Sequence, residues 1–335
     1  MLWRQDPQAQ RMSDPLDDAR VTLQFSAKPS DSCVSERTLQ RRARTGVLTR
    51  LRPGVYAEPA ELEAANRRRR YLARIDAVVG TRRGRVVLSH ESAATVWGVP
   101  RIGPPPAAVE LIDARGTRPR SMNGVAWRRT PFDCTEVVER DGYLVTGLLQ
   151  TVADIACDRG FISAVAGLDA AIGPVLRSDA LIVVPGAPAA AIAERLGAFG
   201  RRRGVRGAIR ALEFADPRSE SVGESLSRAQ MHLLGFPEPE LQVRFDRADG
   251  GFDRVDFDWP EFGAFGEFDG DLKYLDPRYR GGRTAEEVVL AEKKRDQRLG
   301  LRHRRRGAHW DWAIALRAQE LAAVLTDLGL PRARS

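Results

Sequence analysis

Residues 254–270 read RVDFDWPEFGAFGEFDG, and this stretch decides the fold of the last third of the chain. Two runs in which apolar and polar residues alternate flank four residues that begin with proline and end with glycine. Such alternation around a short loop predicts an antiparallel β-hairpin. If Trp259 pairs with Ala264, then Asp256 lies directly opposite Glu267.

The predicted hairpin gathers carboxylates on one of its faces. Residues two apart on a strand share a side, so Asp258 joins Asp256, and Asp269 joins Glu267. Opposed Cβ atoms lie about 4.5–5.5 Å apart, and like charges that face each other destabilise a sheet. A face with four carboxylates therefore predicts a bound divalent cation, such as Mg²⁺, or an exposed acidic face that is solvated or paired with arginines.

The distribution of lysine favours a function for this region. The chain contains 49 arginines and 4 lysines, and three of the lysines (Lys273, Lys293 and Lys294) lie within 22 residues of one another. A compact ammonium group differs from a guanidinium fork in what it can bind. We therefore expect Lys273 or Lys293 to activate water or to stabilise a scissile phosphate, with placement by chance as the alternative.

A helix is predicted immediately before the hairpin region, over residues 219–235. Ser221 and Glu224 have the spacing of a capping box, and Gly235 ends the helical pattern. On residue chemistry alone, Glu224 is interpreted as a capping carboxylate that is bonded to the Ser221 backbone N–H.

The basic charge of the chain is concentrated near its beginning. The net charge is +8, and residues 1–130 hold 24 basic against 13 acidic residues. A basic helix over 35–46 followed by a hairpin over 47–57 is the pattern of a winged helix-turn-helix, in which the helix enters the major groove and the wing contacts phosphate. The alternative is a solvated helix with an ordinary hairpin. The candidate DNA contacts are Arg37, Arg41, Arg42, Arg50 and Arg52.

Length and pattern predict an α/β multi-domain protein. The predicted parts are a disordered tail over 1–15, a winged helix-turn-helix over 16–60 with short helices over 16–32, an α/β middle domain over 61–175, a helical connector over 176–215, and an α/β C-terminal domain over 216–335. A single helix is expected over 61–78. The His90–Glu91 pair is interpreted as structural.

Composition excludes several classes of protein. Three cysteines with wide spacing argue against a disulfide framework and a zinc ribbon. No signal-peptide pattern and no apolar run of membrane-spanning length is present. We expect a cytoplasmic protein that does not bind a membrane.

The C-terminal motifs resemble the PD-(D/E)XK nuclease superfamily, and its Vsr-like branch most closely. The resemblance covers about residues 216–325 and implies a restriction-endonuclease-like fold in which Asp256, Glu267 and Asp269 bind Mg²⁺ or Mn²⁺ and Glu224 supports them. The chain departs from the pattern at Asp269, where the superfamily has lysine. Lys273 or Lys293 then has to supply the missing charge.

The N-terminal motifs resemble the AbiEi-type antitoxins and transcriptional regulators of actinobacteria. They are LTRLRPGVY at residues 48–56, LSHESAA at 88–94, and VTG at 145–147 with TVAD at 151–154. This resemblance implies a winged-helix protein that binds double-stranded DNA, represses its own operon and has a cognate toxin partner. Two hypotheses follow: a DNA-binding, Mg²⁺-dependent endonuclease, or a non-catalytic antitoxin or repressor with a degenerate nuclease fold.

Overall fold

The computed structural model describes residues 20–26, 35–113, 121–129, 136–173, 186–270 and 284–333. Within these ranges the chain is a mixed α/β multi-domain protein whose strands form three sheets. No helix in the same ranges is long and apolar enough to cross a membrane. The predicted tail over 1–15 lies outside the described residues.

The N-terminal unit is a small three-stranded sheet with one helix. Its elements are β1 (Leu23–Phe25), α1 (Glu36–Arg44), β2 (Thr49–Arg52) and β3 (Val55–Ala57), in the sheet order β1-β3-β2. The predicted helix and hairpin are confirmed, and the Ser35 hydroxyl accepts the Thr38 N–H at the helix start. The prediction of short helices over 16–32 is wrong where the structure describes this segment, because Leu23–Phe25 pairs with β3 as an edge strand.

The helix expected over 61–78 is two helices, α2 (Pro59–Ala64) and α3 (Arg67–Gly80). Asn66 separates them because its side chain accepts the Arg69 N–H and caps α3. The prediction of one helix missed this competition between an asparagine side chain and the helical backbone.

A six-stranded mixed sheet forms the centre of the middle region, in the order β6-β7-β5-β4-β9-β8. Its strands are β4 (Val87–Leu88), β5 (Val109–Ile112), β6 (Ser121–Met122), β7 (Val125–Arg128), β8 (Val137–Arg140) and β9 (Tyr143–Thr146). The short helix α4 (His90–Trp97) follows β4 and ends at Gly98, whose φ of +79° is the left-handed conformation that glycine adopts freely.

Four helices pack beside this sheet. They are α5 (Leu148–Asp158), α6 (Phe161–Ile172), α7 (Ala189–Ala198) and α8 (Val205–Phe214). Ile192 and Leu196 of α7 and Ala208 of α8 lie in the same buried cluster as Leu168 of α6. The helices expected as a connector therefore contribute to the core of the middle region.

The C-terminal unit is a four-stranded sheet between helices. Its elements are α9 (Val222–Leu234), β10 (Glu240–Asp246), β11 (Phe252–Trp259), a 3₁₀ turn (Pro260–Phe262), β12 (Ala264–Phe268), α10 (Ala285–His303), β13 (Arg306–Trp310), α11 (Trp312–Ala315) and α12 (Ala318–Asp327). The sheet order is β10-β11-β12-β13, and only the β12–β13 pair is parallel. The predicted hairpin register is confirmed, since Trp259 pairs with Ala264.

Each face of this sheet packs on a helix. On the α9 side, the indole N–H of Trp310 donates to Ser227 and its ring stacks on Phe257. Gly266 allows this packing because a Cβ there would lie 2.4 Å from the Trp310 ring. On the other side, Phe265 packs against Leu299 of α10.

Helix α9 belongs to two cores. Its Leu226 and Met231 are buried with the four-stranded sheet, whereas Ala229 is buried with α6 and α8. Arg228 of α9 donates to both carboxylate oxygens of Asp169 on α6, at 3.0 Å each, and both side chains are almost fully buried.

Candidate functional site

Three potential metal ligands meet where β12 and β13 run in parallel. Glu267 pairs with His309 in the register, and Asp269 follows two residues later on the same side. Oxygen and nitrogen atoms of Glu267, Asp269 and His309 all lie within 4.8 Å of one another. We call these three residues the acidic site. Among the described residues, no other group of carboxylate, histidine and cysteine side chains converges as closely.

Cationic groups partly balance the acidic site. Arg295 of α10 donates to Glu267 at 2.7 Å. One ring nitrogen of His309 lies 3.1 Å from Asp269 and the other lies 3.0 Å from Asp296. The bonds to Asp269 and Asp296 outweigh burial and raise the pKa of His309 to about 10. His309 is therefore protonated at neutral pH and donates from both nitrogens.

Asp256 lies beside this site and does not join it. The β11–β12 pairing stops at Phe257 and Gly266, and beyond it the Asp256 carboxylate accepts the backbone N–H of Phe268 at 2.9 Å. The side chain thus occupies the position of a ladder bond. As a result, the Asp256 carboxylate is separated from those of Glu267 and Asp269, with which the sequence predicted a common face.

Asp258, the fourth predicted carboxylate, is buried on the α10 side of the sheet. Arg305 binds it at 2.9–3.0 Å. Burial raises the pKa of Asp258, and the Arg305 charge partly offsets this effect. Asp258 therefore has the arginine partner that the alternative interpretation expected.

Glu224 is a capping residue, as the sequence predicts, but its carboxylate bonds a backbone N–H one residue earlier than predicted. Its N–H donates to the Ser221 hydroxyl at 3.1 Å, and its carboxylate accepts the Glu220 N–H, so it caps α9. The Gln242 amide bridges the carboxylates of Glu224 (2.8 Å) and Asp256 (3.3 Å). Burial and the Asp256 charge both raise the pKa of Glu224.

The backbone of Gln242 marks this second acidic group as unusual. Its φ of +57° is left-handed, a conformation that side chains with a Cβ rarely adopt. Such strain persists only where the surroundings hold it, and it is frequent at functional sites. Here it holds the amide between two carboxylates that would otherwise repel each other.

The cation that is seen to contact Glu267 is an arginine. Lys293 is exposed on α10, and Lys273 lies outside the described residues. Arg295, the second residue after Lys293, makes the contact. Sequence reasoning missed His309 and Gln242, and it gave no role to Arg295 or Asp296 within the run at residues 292–296. The helical spacing of 295 and 299 was the available signal, since it places Arg295 on the face that buries Leu299.

The acidic site fits a divalent cation by donor type and spacing. Two carboxylates are the ligands that Mg²⁺ and Mn²⁺ share, whereas an imidazole nitrogen is a poorer ligand for Mg²⁺. His309 has to release a proton before it can be a ligand. Glu267 and Asp269, with Asp256 beside them, are therefore the residues that would hold a hard cation.

The predicted DNA contacts occupy two environments. Arg37, Arg41 and Arg50 are exposed on α1 and β2. Arg42 is half-buried and donates to the Gln24 side chain at 3.3 Å. Arg52 is also half-buried, and burial together with the charge of Arg82 lowers its pKa.

The middle region contains a group of buried ion pairs around Glu91. Arg159 binds both Glu91 oxygens at 2.8 and 2.9 Å, and Arg101 adds a third bond at 2.5 Å. Burial acts to raise the pKa of Glu91, but these arginines outweigh it and the pKa lies below its ordinary value. We call Glu91, Arg101 and Arg159 the Glu91 network.

Comparison with known proteins finds relatives in a mycobacterium. No family model matches it. Two proteins of Mycobacterium tuberculosis, uncharacterized protein Rv2248 of strain H37Rv and uncharacterized protein MT2308 of strain CDC 1551, are each 30% identical to it over 236 residues, which is 70% of this chain and 79% of the relative. This chain belongs to their family.

One solved structure resembles this chain only weakly. The crystal structure of RV2827C protein from Mycobacterium tuberculosis matches with a TM-score of 0.33 and 16% sequence identity. The match covers 54% of this chain and 66% of that chain. A score this low supports no argument about the fold.

Proposed function

We propose that this protein binds double-stranded DNA and hydrolyses its phosphodiester bonds at the acidic site with Mg²⁺ or Mn²⁺. The observation that carries the proposal is the convergence of Glu267, Asp269 and His309 at one end of a sheet, with Asp256 beside them. The Vsr-like PD-(D/E)XK resemblance of the C-terminal motifs agrees with this placement. The proposal includes a cytoplasmic location.

Each residue has a role in the proposed reaction. Glu267 and Asp269 hold the cation, which when bound supplies Lewis-acid polarisation of a phosphate oxygen. Asp256, beside the site, is the further ligand that the resemblance implies. Glu224, through Gln242, fixes the orientation of Asp256. Arg295 contacts Glu267 and is placed to offset negative charge that develops on the phosphate, a role that Lys273 or Lys293 would share.

The winged-helix interpretation provides the DNA-binding part of the proposal. The helix α1 and the β2–β3 hairpin follow each other directly and expose Arg37, Arg41 and Arg50. An AbiEi-like regulatory role, with a cognate toxin as partner, belongs to the second candidate function below.

Binding of the cation is tested by thermal unfolding of the full chain in millimolar Mg²⁺ or Mn²⁺. A ligand at 100 times its Kd stabilises a protein by about 2.7 kcal/mol. We expect stabilisation of the wild type, its loss in Glu267→Gln, and its retention in Asp246→Asn. Asp246 is the control because it is an exposed carboxylate of the same sheet.

Cleavage of supercoiled plasmid DNA by the same three proteins tests catalysis. Metal-dependent nicking or linearisation by the wild type and by Asp246→Asn, but not by Glu267→Gln, supports the nuclease. Absence of any effect of Mg²⁺ and Mn²⁺ on stability and on DNA rejects the metal-based proposal.

A non-catalytic binding protein is the second candidate. The observation that favours it is internal neutralisation, because Arg295 and protonated His309 already contact Glu267 and Asp269. The position after Glu267–Phe268 also holds an aspartate where the superfamily has lysine. Metal stabilisation without cleavage in the experiment above would support this antitoxin or repressor with a degenerate nuclease fold.

A further inference from the structure

A cleft of about 560 Å³ lies between three helices, away from the acidic site. The start of α6, one side of α8 and the end of α9 line it, through Phe161, Phe214, His232 and Leu233 among others. Small-molecule sites in proteins have volumes of about 300–1,000 Å³ and are lined mainly by apolar and aromatic side chains. The cleft matches this description in size and in lining, and the three residues of the acidic site do not line it.

Three aromatic rings, one from each helix, meet in the cleft. The centre of the Phe214 ring lies 5.5 Å from that of Phe161 and 4.5 Å from that of His232. The rings of Phe161 and His232 stack at 26°, with their centres 5.6 Å apart. Arg228 fixes Phe214, because its guanidinium lies 4.2 Å from the ring centre and donates to the Phe214 carbonyl oxygen at 2.7 Å. All three rings are partly or largely exposed, so a ligand ring can pack against them.

Opposite charges lie beside these rings on one turn of α8. Arg210 and Glu213 both line the cleft, and both are exposed. Residues three apart on a helix are neighbours, yet neither of these two forms an ion pair with the other or with another described residue. The third charged group that lines the cleft, Arg159, is already matched by Glu91. The cleft therefore offers a ligand one cation and one anion next to an aromatic surface.

Gly207 keeps the space beside α8 open. It lies in the first turn of α8 and lines the cleft, and a Cβ at this position would have no neighbouring atom within 4 Å. Glycine is less favourable in a helix than every residue except proline, because it loses the most backbone freedom. Neither close packing nor a left-handed backbone requires glycine here, whereas an unobstructed cleft accounts for it.

We propose that this cleft binds a free α-amino acid with an aromatic side chain, such as phenylalanine or tryptophan. The ligand ring packs against Phe161, Phe214 and His232. Its carboxylate accepts hydrogen bonds from the Arg210 guanidinium, and its ammonium group donates to Glu213. Charge complementarity favours this ligand over an aromatic acid or amine, since each of those leaves one of the two charged side chains without a partner. The inference goes beyond the proposed function and involves neither DNA nor a metal ion.

Isothermal titration calorimetry of the full-length protein tests the chemistry of the ligand. The titrants are L-phenylalanine and L-tryptophan, together with four analogues of phenylalanine. Phenylpropionate lacks the ammonium group, phenethylamine lacks the carboxylate, N-acetyl-phenylalaninamide lacks both charges, and alanine lacks the ring. We expect each analogue to bind about tenfold more weakly than phenylalanine or worse, because each loses a hydrogen bond to a charged group or the burial of a ring.

Three results of the titrations overturn the proposal. The first is the absence of binding by both aromatic amino acids. The second is equal binding of phenylpropionate or phenethylamine, which shows that one of the two charges is not recognised. The third is equal binding of N-acetyl-phenylalaninamide, which assigns the cleft to an aromatic residue of a peptide instead of a free amino acid.

Variants of α8 test the location of the site. Arg210→Gln and Glu213→Gln should each weaken the binding of L-phenylalanine about tenfold. Arg206→Gln should leave it unchanged, because Arg206 is an exposed arginine of the same helix that does not line the cleft. Gly207→Leu should abolish binding by filling the cleft, while the Tm without ligand stays unchanged or rises, since leucine favours a helix.

Wild-type affinity in Arg210→Gln or in Gly207→Leu overturns the assignment to this cleft, as does an equal loss in Arg206→Gln. A lower Tm of Gly207→Leu contradicts the open space at this residue. The two charge variants then decide the location, because both of their side chains are exposed in the wild type. Failure of metal binding at Glu267 leaves these results unaffected, so the two proposals fail separately.

Discussion

The Glu91 network and the second acidic group, formed by Glu224, Gln242 and Asp256, both contain carboxylates, but they treat them in opposite ways. Arg159 and Arg101 donate hydrogen bonds to the Glu91 carboxylate and hold its pKa below the ordinary value. Glu224, by contrast, lies beside Asp256, and its pKa is raised. A carboxylate matched to an arginine stabilises the fold in its charged form, whereas carboxylates gathered together store repulsion that a cation can relieve.

The largest effect that tests this comparison is expected in the Glu91 network. Glu91→Gln leaves two arginines beside an uncharged amide, and Arg159 is almost fully buried. Loss of one partner of a buried pair costs about 3–5 kcal/mol. We expect urea unfolding at pH 7 to show a loss of this size.

The control for that measurement is Glu139→Gln. Glu139 pairs with Arg85, and both side chains are about two-thirds exposed, at 63% and 64%. Exposed pairs contribute about 0–1 kcal/mol. Equal losses in the two variants would remove the distinction between the buried network and a surface ion pair.

An intermediate effect is expected from His309. Its pKa is raised from 6.5 to about 10, so the stabilisation is complete below pH 6.5 and is lost as the pH rises through 10. With a chelator present, we expect the free energy of unfolding to fall by about 2 kcal/mol across this window, less than the full shift implies because 28% of the side chain is exposed. His309→Gln should remove this dependence of the free energy of unfolding on pH. A wild-type stability that does not change over the same pH range contradicts the bridging of Asp269 and Asp296 by His309.

The smallest effect should have the opposite sign. Asp256→Asn removes a negative charge beside buried Glu224 and still offers an oxygen to the Phe268 N–H. We expect the metal-free protein to be unchanged or more stable by about 1 kcal/mol, measured as Tm in chelator. A loss like that of Glu91→Gln would show that both regions use carboxylates in the same way.

Local patterns were sufficient to predict the elements that lie close together in the sequence. Alternation and the proline-to-glycine turn gave the pairing of Trp259 with Ala264, which the structure confirms. The capping residue Ser221 and the terminal Gly235 gave the ends of α9 within a few residues. In these cases the signal and the structure involve the same short stretch of chain.

Contacts between distant parts of the chain were not predictable in the same way. His309 reaches Glu267 through a parallel pairing of β12 and β13 across α10, and nothing local fixes that register. The turn of Asp256 away from the hairpin face depends on its bond to the Phe268 N–H, which replaces one rung of the ladder. Asn66 was a local signal for the start of α3. It was overlooked because the four arginines that follow it were interpreted as part of one longer helix.

The double membership of α9 has a consequence for how the chain unfolds. Leu226 and Ala229 belong to the same short helix but are buried in two different cores. Unfolding of α9 therefore removes packing from both cores at once. The ion pair between Arg228 and Asp169 also connects the two regions. A fragment cut from the chain between α8 and α9 has only one member of this pair. The middle and C-terminal regions should therefore unfold in one calorimetric transition, and a fragment that begins at residue 216 should be far less cooperative than the intact chain.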